Sequence, residues 1–600
     1  MARALELNEF LGSEGTATTI ADYWQSWDNL RSKWIAEKKE IQEYIFATST
    51  MHTGNATLPW KNKIHIPKIC QIRDNLHANY MSTLRPNDNA LVWEGDDTDS
   101  ETREKRLTIQ NYMNNKMKQG AAWDEVEKLV LDYIDYGNCF AMPVFEARYN
   151  NDPTGDRTPA YIGPKLQRIN PTDIAFDPTA PSFESAPKII RTVRTLGSLK
   201  ADIEDHPEFA YLEEAFDRMM DNRHKFANVS QGDFKRNEMY DIAGFTGFWN
   251  YFNSDYVEVL DFYGDFFNRE TGELKKNHLI SVVDRSVILR NQSNENWLGV
   301  PPIRHVGWRV RQDNLYGMGP LDNLIGLQHR IDHLENAKAD AFDMILHPVM
   351  KITGFVEDFD YGPGERIYVG EEGDVSFMAP DTTFLSADTQ IQMYESKMEE
   401  MAGAPKQAVG FRTPGEKTAY EVQTLENGAN RVFINKISHF ESVFLEPLIN
   451  DMLELAARNL DEFDEIRVID EETQAVTFSK IRKEDITARG KIRPIGARHY
   501  AQNAQIVQNI TQFANSPLAQ DKTVMAHFSG QRIAIAMESL LGLEKYKIYQ
   551  PNIRIYEEAQ MAKVAGDGQQ AVMEDQTTGM DPNQAAMATQ ASADNQGAAQ

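Results

Sequence analysis

Apolar residues recur at helical spacing from Leu321 to Ile345, and this run constrains the fold more than any other feature. Leu321, Leu324, Ile325, Gln328, Ile331, Leu334, Lys338, Ala341, Phe342 and Ile345 mark one face of a single helix over 320–346. Such a helix runs roughly 39 Å at about 1.5 Å per residue. His347-Pro348 ends it. A compact β segment from Val349 to Phe377 follows, with turns at Gly354, Tyr361-Gly-Pro-Gly364 and Gly370. A second helix spans 388–402 and stops at Gly403-Ala-Pro405. Beyond a Gly/Pro loop over 404–417, Thr418 and Glu421 form a capping box that opens a third helix. Its stripe (Val422, Leu425, Ala429, Val432, Phe433, Ile437, Phe440, Phe444) continues to about residue 458, with a kink expected at Pro447. A helix pair leading to a small β module and back is a stalk. A stalk buries little surface alone, so it implies packing against copies of itself.

The flanking regions read as mixed α and β. Trp24, Trp27, Trp34, Ile35, Ile41 and Ile45 recur at helical spacing, as do Ile69, Ile72, Leu76, Tyr80 and Leu84 ahead of Pro86. A helix over 121–136 ends at Gly137 and feeds a strand from Asn138 to Tyr149. Between 151 and 318 the pattern turns to short strands and loops, among them Lys165–Pro171, Lys188–Arg194, Tyr256–Tyr263 and His278–Asp284. The stretch 215–250 reads as an insertion or long loop. Short strands return over 465–497, helices over 498–548. The segment from Met561 lacks aromatics and is expected to be disordered.

Composition narrows the function classes. The 600 residues carry 90 Asp and Glu against 62 Lys and Arg, a formal net charge of −28. That acidity opposes tight electrostatic binding of nucleic acid, which needs a cationic surface. Two cysteines, Cys70 and Cys139, exclude a disulfide framework, and Cys139 sits in an apolar run expected in the core. No stretch approaches the ~20 apolar residues of a membrane span, and no membrane partner is expected.

Catalytic signatures are weak. Gly410-Phe-Arg-Thr-Pro-Gly415-Glu-Lys417-Thr418 resembles a phosphate-binding loop, but Glu416 shifts Lys417 by one residue and places a negative charge where phosphate would sit. His329 and His333 share a helix face without a further metal ligand in a known motif. Glu357, Asp358 and Asp360 form an acidic cluster in the β segment. No nucleophile motif appears, and neither cofactor, metal nor enzymatic activity is expected.

At this point the chain resembles the portal (head-to-tail connector) proteins of tailed bacteriophages, especially the short-tailed ones. The residues carrying the resemblance are Gly317-Met-Gly-Pro-Leu-Asp-Asn-Leu-Ile-Gly-Leu-Gln-His-Arg-Ile-Asp332 leading into the stalk, Gly403-Ala-Pro-Lys-Gln-Ala-Val-Gly410, and Thr418-Ala-Tyr-Glu-Val-Gln423. Arg168-Ile-Asn-Pro-Thr-Asp-Ile-Ala-Phe-Asp-Pro178 looks like that family's wing segment. The resemblance covers most of residues 20–550 and rests on pattern and order.

It implies an α+β, mainly helical portal fold assembled as a ring, usually of twelve subunits, at one capsid vertex. Residues 1–319 would be the N-terminal part of the wing. Residues 320–346 and 388–403 would be the two stem helices, with 347–387 as the clip between them. The loop 404–417 would face the channel, 418–497 would complete the wing, 498–556 would form the crown, and 557–600 a disordered tail. The implied role is passage of double-stranded DNA during packaging and ejection, without sequence specificity. The implied partners are the major capsid protein, the terminase motor and later a tail adaptor. The implied location is the virion, after assembly in the host cytoplasm. Lys406, Arg412 and Lys417 would be the DNA-facing loop cations, although ordinary solvated loop charges read the same way. Glu357, Asp358 and Asp360 would be the clip docking surface. The competing readings are an ATP-driven packaging motor, suggested by the imperfect phosphate loop, and a virion adaptor or shell protein without a channel.

Overall fold

The computed structural model describes residues 15–85, 91–94, 100–151, 157–205, 211–212, 214–227, 254–267, 272, 274–294, 299–347, 349–357, 367–378, 387–402, 433–460, 463–469, 476–482 and 491–494, with single positions at 510, 533 and 537. The chain divides into two compact units, one of Met1–Asp470 with Gln474–Ala497 and one of Glu471–Thr473 with Arg498–Gln600. The architecture that follows is that of the first unit, a mixed α+β fold.

Four helices open it: α1 (Gly15–Phe46), α2 (Lys68–Leu84), α3 (Ser100–Gln119) and α4 (Ala122–Asp135). Their spaced apolar residues build the main core, which includes Ile41, Ile72, Tyr80, Tyr112, Leu129 and Tyr133. Helix α3 has no counterpart in the sequence reading; its first residues are almost all polar or charged. Helix α4 stops before Gly137, as expected. Gly137 takes φ +68°, and a Cβ there would lie 2.3 Å from the Gly319 nitrogen, so only glycine fits this crossing.

Strand β1 (Leu91–Glu94) has its partner at the far end of the unit, described below. Strand β2 (Asn138–Asn151) pairs with β3 (Arg157–Ile169) in a long hairpin. Then β4 (Ile174–Phe176), β5 (Lys188–Thr195), β6 (Tyr256–Phe267), β7 (Leu274–Val283) and β8 (Val287–Ser293) form an antiparallel meander in chain order. Period-two alternation fills both of its faces. Leu260, Phe262, Ile280 and Val282 pack against Ala17, Ile20, Trp24 and Trp27 of α1. Val257, Val259, Val283 and Leu289 pack against α5 (Leu196–Asp205) and α6 (Ala215–Ala227).

Of the stretch 215–250, read as an insertion or long loop, residues 215–227 form helix α6 and are not loop, and 228–250 lie outside the described residues. Arg223 on this helix is buried and forks onto Asp284 at 2.7 and 2.9 Å. Asp284 and Arg285 both take positive φ in the β7–β8 turn. The Arg223–Asp284 and Arg285–Glu258 pairs hold that otherwise costly conformation.

Lys188, the first residue of β5, is completely buried. Its Nζ donates to the Phe183 carbonyl at 2.7 Å and lies 4.1 Å from the Phe183 ring centroid. Burial is the main cause that pushes its pKa down from 10.5 to about 7. Below pH 7 both folded and unfolded chains hold this proton, and the cost of burying the charge is fully present. Between about pH 7 and 10 only the unfolded chain keeps it, so stability rises by about 1.4 kcal/mol per pH unit. Lys188→Met removes this dependence. Its unfolding free energy relative to the wild type should therefore fall by a few kcal/mol between pH 7 and 10, as read from denaturant titrations. A difference that stays flat across this range refutes the assignment.

Three short strands, β9 (Arg304–Gly307), β10 (Arg309–Arg311) and β11 (Asn314–Met318), lead into α7 (Ile325–Leu346). The hairpin of β12 (Val349–Thr353) and β13 (Asp374–Met378) follows, then α8 (Ala387–Ala402). Residues 433–440 are helical, pass through a π-turn at Glu441–Leu445 and continue as α9 (Glu446–Asn459). Pro447 lacks an N–H for the i−4 carbonyl, and the wider π-turn absorbs that mismatch where the sequence suggested a kink. Strands β14 (Phe463–Ile469) and β15 (Val476–Arg482) pair with each other. Strand β16 (Lys491–Pro494) returns to pair with β1. Among the described residues no helix is long and apolar enough to cross a membrane.

Candidate assembly stalk

Helices α7 and α8 pack on each other, and both are rooted in the main core. Leu321, Leu324 and Ile331 belong to that core, as do Ala387, Ile391, Met398 and Ala402. Lys338 of α7 reaches Asp388 of α8 at 2.7 Å and Glu335 at 3.1 Å. Lys68 of α2 holds Glu399 of α8 at 2.7 Å with both side chains nearly buried. Helix α7 starts at Ile325 and not at residue 320 as the periodicity suggested. Residues 320–324 are a turn whose Asp322 accepts from the Gly319 N–H and pairs with the buried Lys38.

A second face of α7 is polar and buried. Gln328, Asp332, Asn336 and Asp340 stand four residues apart, and each is buried. They bind the main chain of the extended segment 61–67 and the first turn of α2, which run antiparallel to the helix. Asp340 accepts from the Lys61 and Asn62 N–H groups at 2.8 and 2.9 Å. Asn336 exchanges two bonds with Ile64, at 2.7 Å to its N–H and 2.9 Å to its carbonyl. Asp332 accepts from the Ile66 N–H at 3.2 Å, and Gln328 donates to the Ile66 carbonyl and accepts from the Ile69 N–H. The spacing has a simple geometric cause. Four helical residues rise about 6 Å and two extended residues about 6.6 Å, so the two ladders stay in step from Asp340 to Asp332, and Gln328 then meets the first turn of α2.

His65 adds a side-chain rung, its Nδ1 2.6 Å from Asp332 Oδ2. Burial raises the Asp340 carboxyl, but the hydrogen bonds from Asn62 and Lys61 outweigh it and hold its pKa below the usual carboxylate value. The sequence analysis missed this clasp and counted Gln328 in the apolar stripe. The available signal was the run of Gln, Asp, Asn and Asp at a strict spacing of four.

A third feature is the bare end of the stalk. The apolar periodicity continues to Phe342 and Ile345, yet there the single chain leaves it uncovered. Phe342 is 43% exposed and Leu346 69% exposed, with Met344 and Ile345 exposed beside them. The hairpin beyond is equally bare: Ile352, Phe377 and Met378 are exposed, and Phe355 is 80% exposed. Solvated surfaces seldom gather this many large apolar groups unless something covers them.

Of the acidic cluster, Glu357 is exposed beside the Val356–Val369 bridge, and its N–H donates to the Tyr368 carbonyl at 3.1 Å. Asp358 and Asp360 lie outside the described residues, as do Lys406, Arg412, Lys417 and the whole phosphate-loop-like stretch. His329 pairs with Glu40 at 3.2 Å, and His333 packs edge-on to Trp60. Among the described residues no three His, Cys, Asp or Glu side chains are placed to hold a metal ion. Cys139 is buried in the core as expected.

The chain matches no protein-family model and no curated protein.

Proposed function

We propose that the chain is the protomer of a ring-shaped portal, a structural conduit that passes double-stranded DNA through one vertex of a tailed-phage capsid. The observation that carries this reading is the stalk, whose apolar stripe runs past the end of its own core and stays exposed in the single chain. In a ring of more than two copies each interface joins two different faces of the chain, so such a stripe would be covered by another face of the neighbouring copy. Covering one such side chain would contribute about 1.5–3 kcal/mol towards a contact between copies.

The order of helix, small hairpin and returning helix matches the stem and clip of the resembled family. The clip would dock the packaging motor and later the tail. A net charge of −28 per copy suits a bore that lets DNA slide, since strong phosphate contacts along its length would act as a brake. In this role the protein has no enzymatic activity.

Negative-stain electron microscopy of the purified protein tests the reading directly. Rings with a central hole are expected; a monodisperse monomer, or a closed particle without a hole, sinks it.

A further inference from the structure

Arg309 and Lys436 form a pair of cations with no carboxylate partner among the described residues, in a chain with a large excess of acids. Trp308 is buried, and its Nε1 donates to the Tyr80 hydroxyl at 3.2 Å, so its ring is held in place. The Arg309 guanidinium lies 5.1 Å and the Lys436 ammonium 4.6 Å from the centroid of that ring. Lys436 Nζ also donates to the Trp308 carbonyl. One helical turn further on, His439 is exposed beside Lys436.

Among the described residues no carboxylate forms an ion pair with Arg309 or Lys436; the nearby Arg311 is taken up by Asp313 at 3.0 Å. Burial first, then Arg309, lowers the Lys436 pKa; burial first, then Lys436, lowers that of His439. An indole ring attracts cations through its quadrupole but does not neutralise them. Arg309 and Lys436 therefore present positive charge that no described carboxylate pairs with, on a fixed platform, and His439 adds a ring N–H beside them.

We propose that Arg309, Lys436 and His439 form a contact site for the backbone phosphates of double-stranded DNA. This inference rests on the conduit reading and assigns it residues beyond the loop cations. The exposure of Arg309 and His439 makes the site an open surface, suited to a long polyanion passing across it. A small free anion instead favours an enclosed set of converging donors.

The test is fluorescence anisotropy of a labelled DNA duplex against the full chain across a salt series, with wild type, Arg309→Gln and Arg309→Gln/Lys436→Gln. Arg309 is exposed, so the single variant keeps the fold even if the double variant does not. A control, Lys39→Gln/Lys276→Gln, removes the same charge from two exposed positions elsewhere. At low salt the double site variant should lose about tenfold in association constant, with a salt dependence shallower by one to two units, and the single variant should lose part of this.

Unchanged binding in the site variants, or an equal loss in the control, overturns the site. Displacement of the duplex by inorganic phosphate at equal phosphate concentration also overturns it, by showing a small-anion site. The comparison reads the site whether or not rings form. Rings with unaltered duplex binding remove the site and leave the conduit standing, whereas a wild type without rings removes the conduit itself.

Discussion

Asp332→Ala should destabilise the protein by about 3–5 kcal/mol, the largest effect expected of any single substitution in the stalk. Asp332 is fully buried and serves four groups at once: the Ile66 N–H at 3.2 Å, His65 Nδ1 at 2.6 Å, Gln328 Nε2 at 2.9 Å and Asn55 Nδ2 at 3.4 Å. Truncation removes this acceptor from the Ile66 N–H, His65 and Asn55, while Gln328 keeps the Ile66 carbonyl, and each orphaned group costs about 1–3 kcal/mol. The segment 61–67 has no strand partner among the described residues; beside a bond from the Thr50 N–H to the Lys63 carbonyl at 3.4 Å, the helix side chains hold its main chain.

Asp332→Asn retains the volume and one acceptor but cannot satisfy the same set of donors. It should fall between the wild type and the alanine variant. Urea titration followed by intrinsic fluorescence measures both, with hydrogen exchange over residues 61–69 as the local readout. A loss below about 0.5 kcal/mol in Asp332→Ala, with exchange over 61–69 unchanged, would falsify the clasp as the element that holds this segment.

The second large effect concerns assembly. On the proposed portal reading, Phe342→Glu combined with Leu346→Glu should abolish ring formation while leaving the chain folded. Both side chains are already exposed in the single chain, so the substitutions remove little from its core and should change its unfolding midpoint only slightly. In a ring each would place a carboxylate in an apolar contact repeated at every interface, at a cost of several kcal/mol per site. Sedimentation velocity distinguishes the outcomes. A folded monomer supports the stalk as an assembly surface; a ring of wild-type size shows that copies meet through some other face.

Much of the element order was legible because its signals are local. The alternation in Tyr256–Tyr263 and the helical stripes of Trp24–Ile45 and Ile69–Leu84 state their period within one segment, and each became the expected element. Helix α3 went unread because the first residues of Ser100–Gln119 carry hardly any apolar residues to set a period. The strand pair β1–β16 was equally silent, since four residues near 91 give no local sign of partners near 491. The acidic cluster was visible as composition, but of its three members only Glu357 is among the described residues.

By itself, then, the sequence determined where helices and strands fall around the stalk, and that its apolar stripe runs the full length of α7. Periodicity is a property of neighbouring residues, and no tertiary contact is needed to read it. Only the tertiary structure decided which part of that stripe is covered. Ile331 lies in the core and Leu346 is left bare, because the packing of α2, α8 and the strap 61–67 ends before the helix does. The same holds for Gln328, Asp332, Asn336 and Asp340. Their polarity was plain in the sequence, but their role came from a strap more than 250 residues away in the chain, whose carbonyl and N–H spacing happens to match four residues of helix.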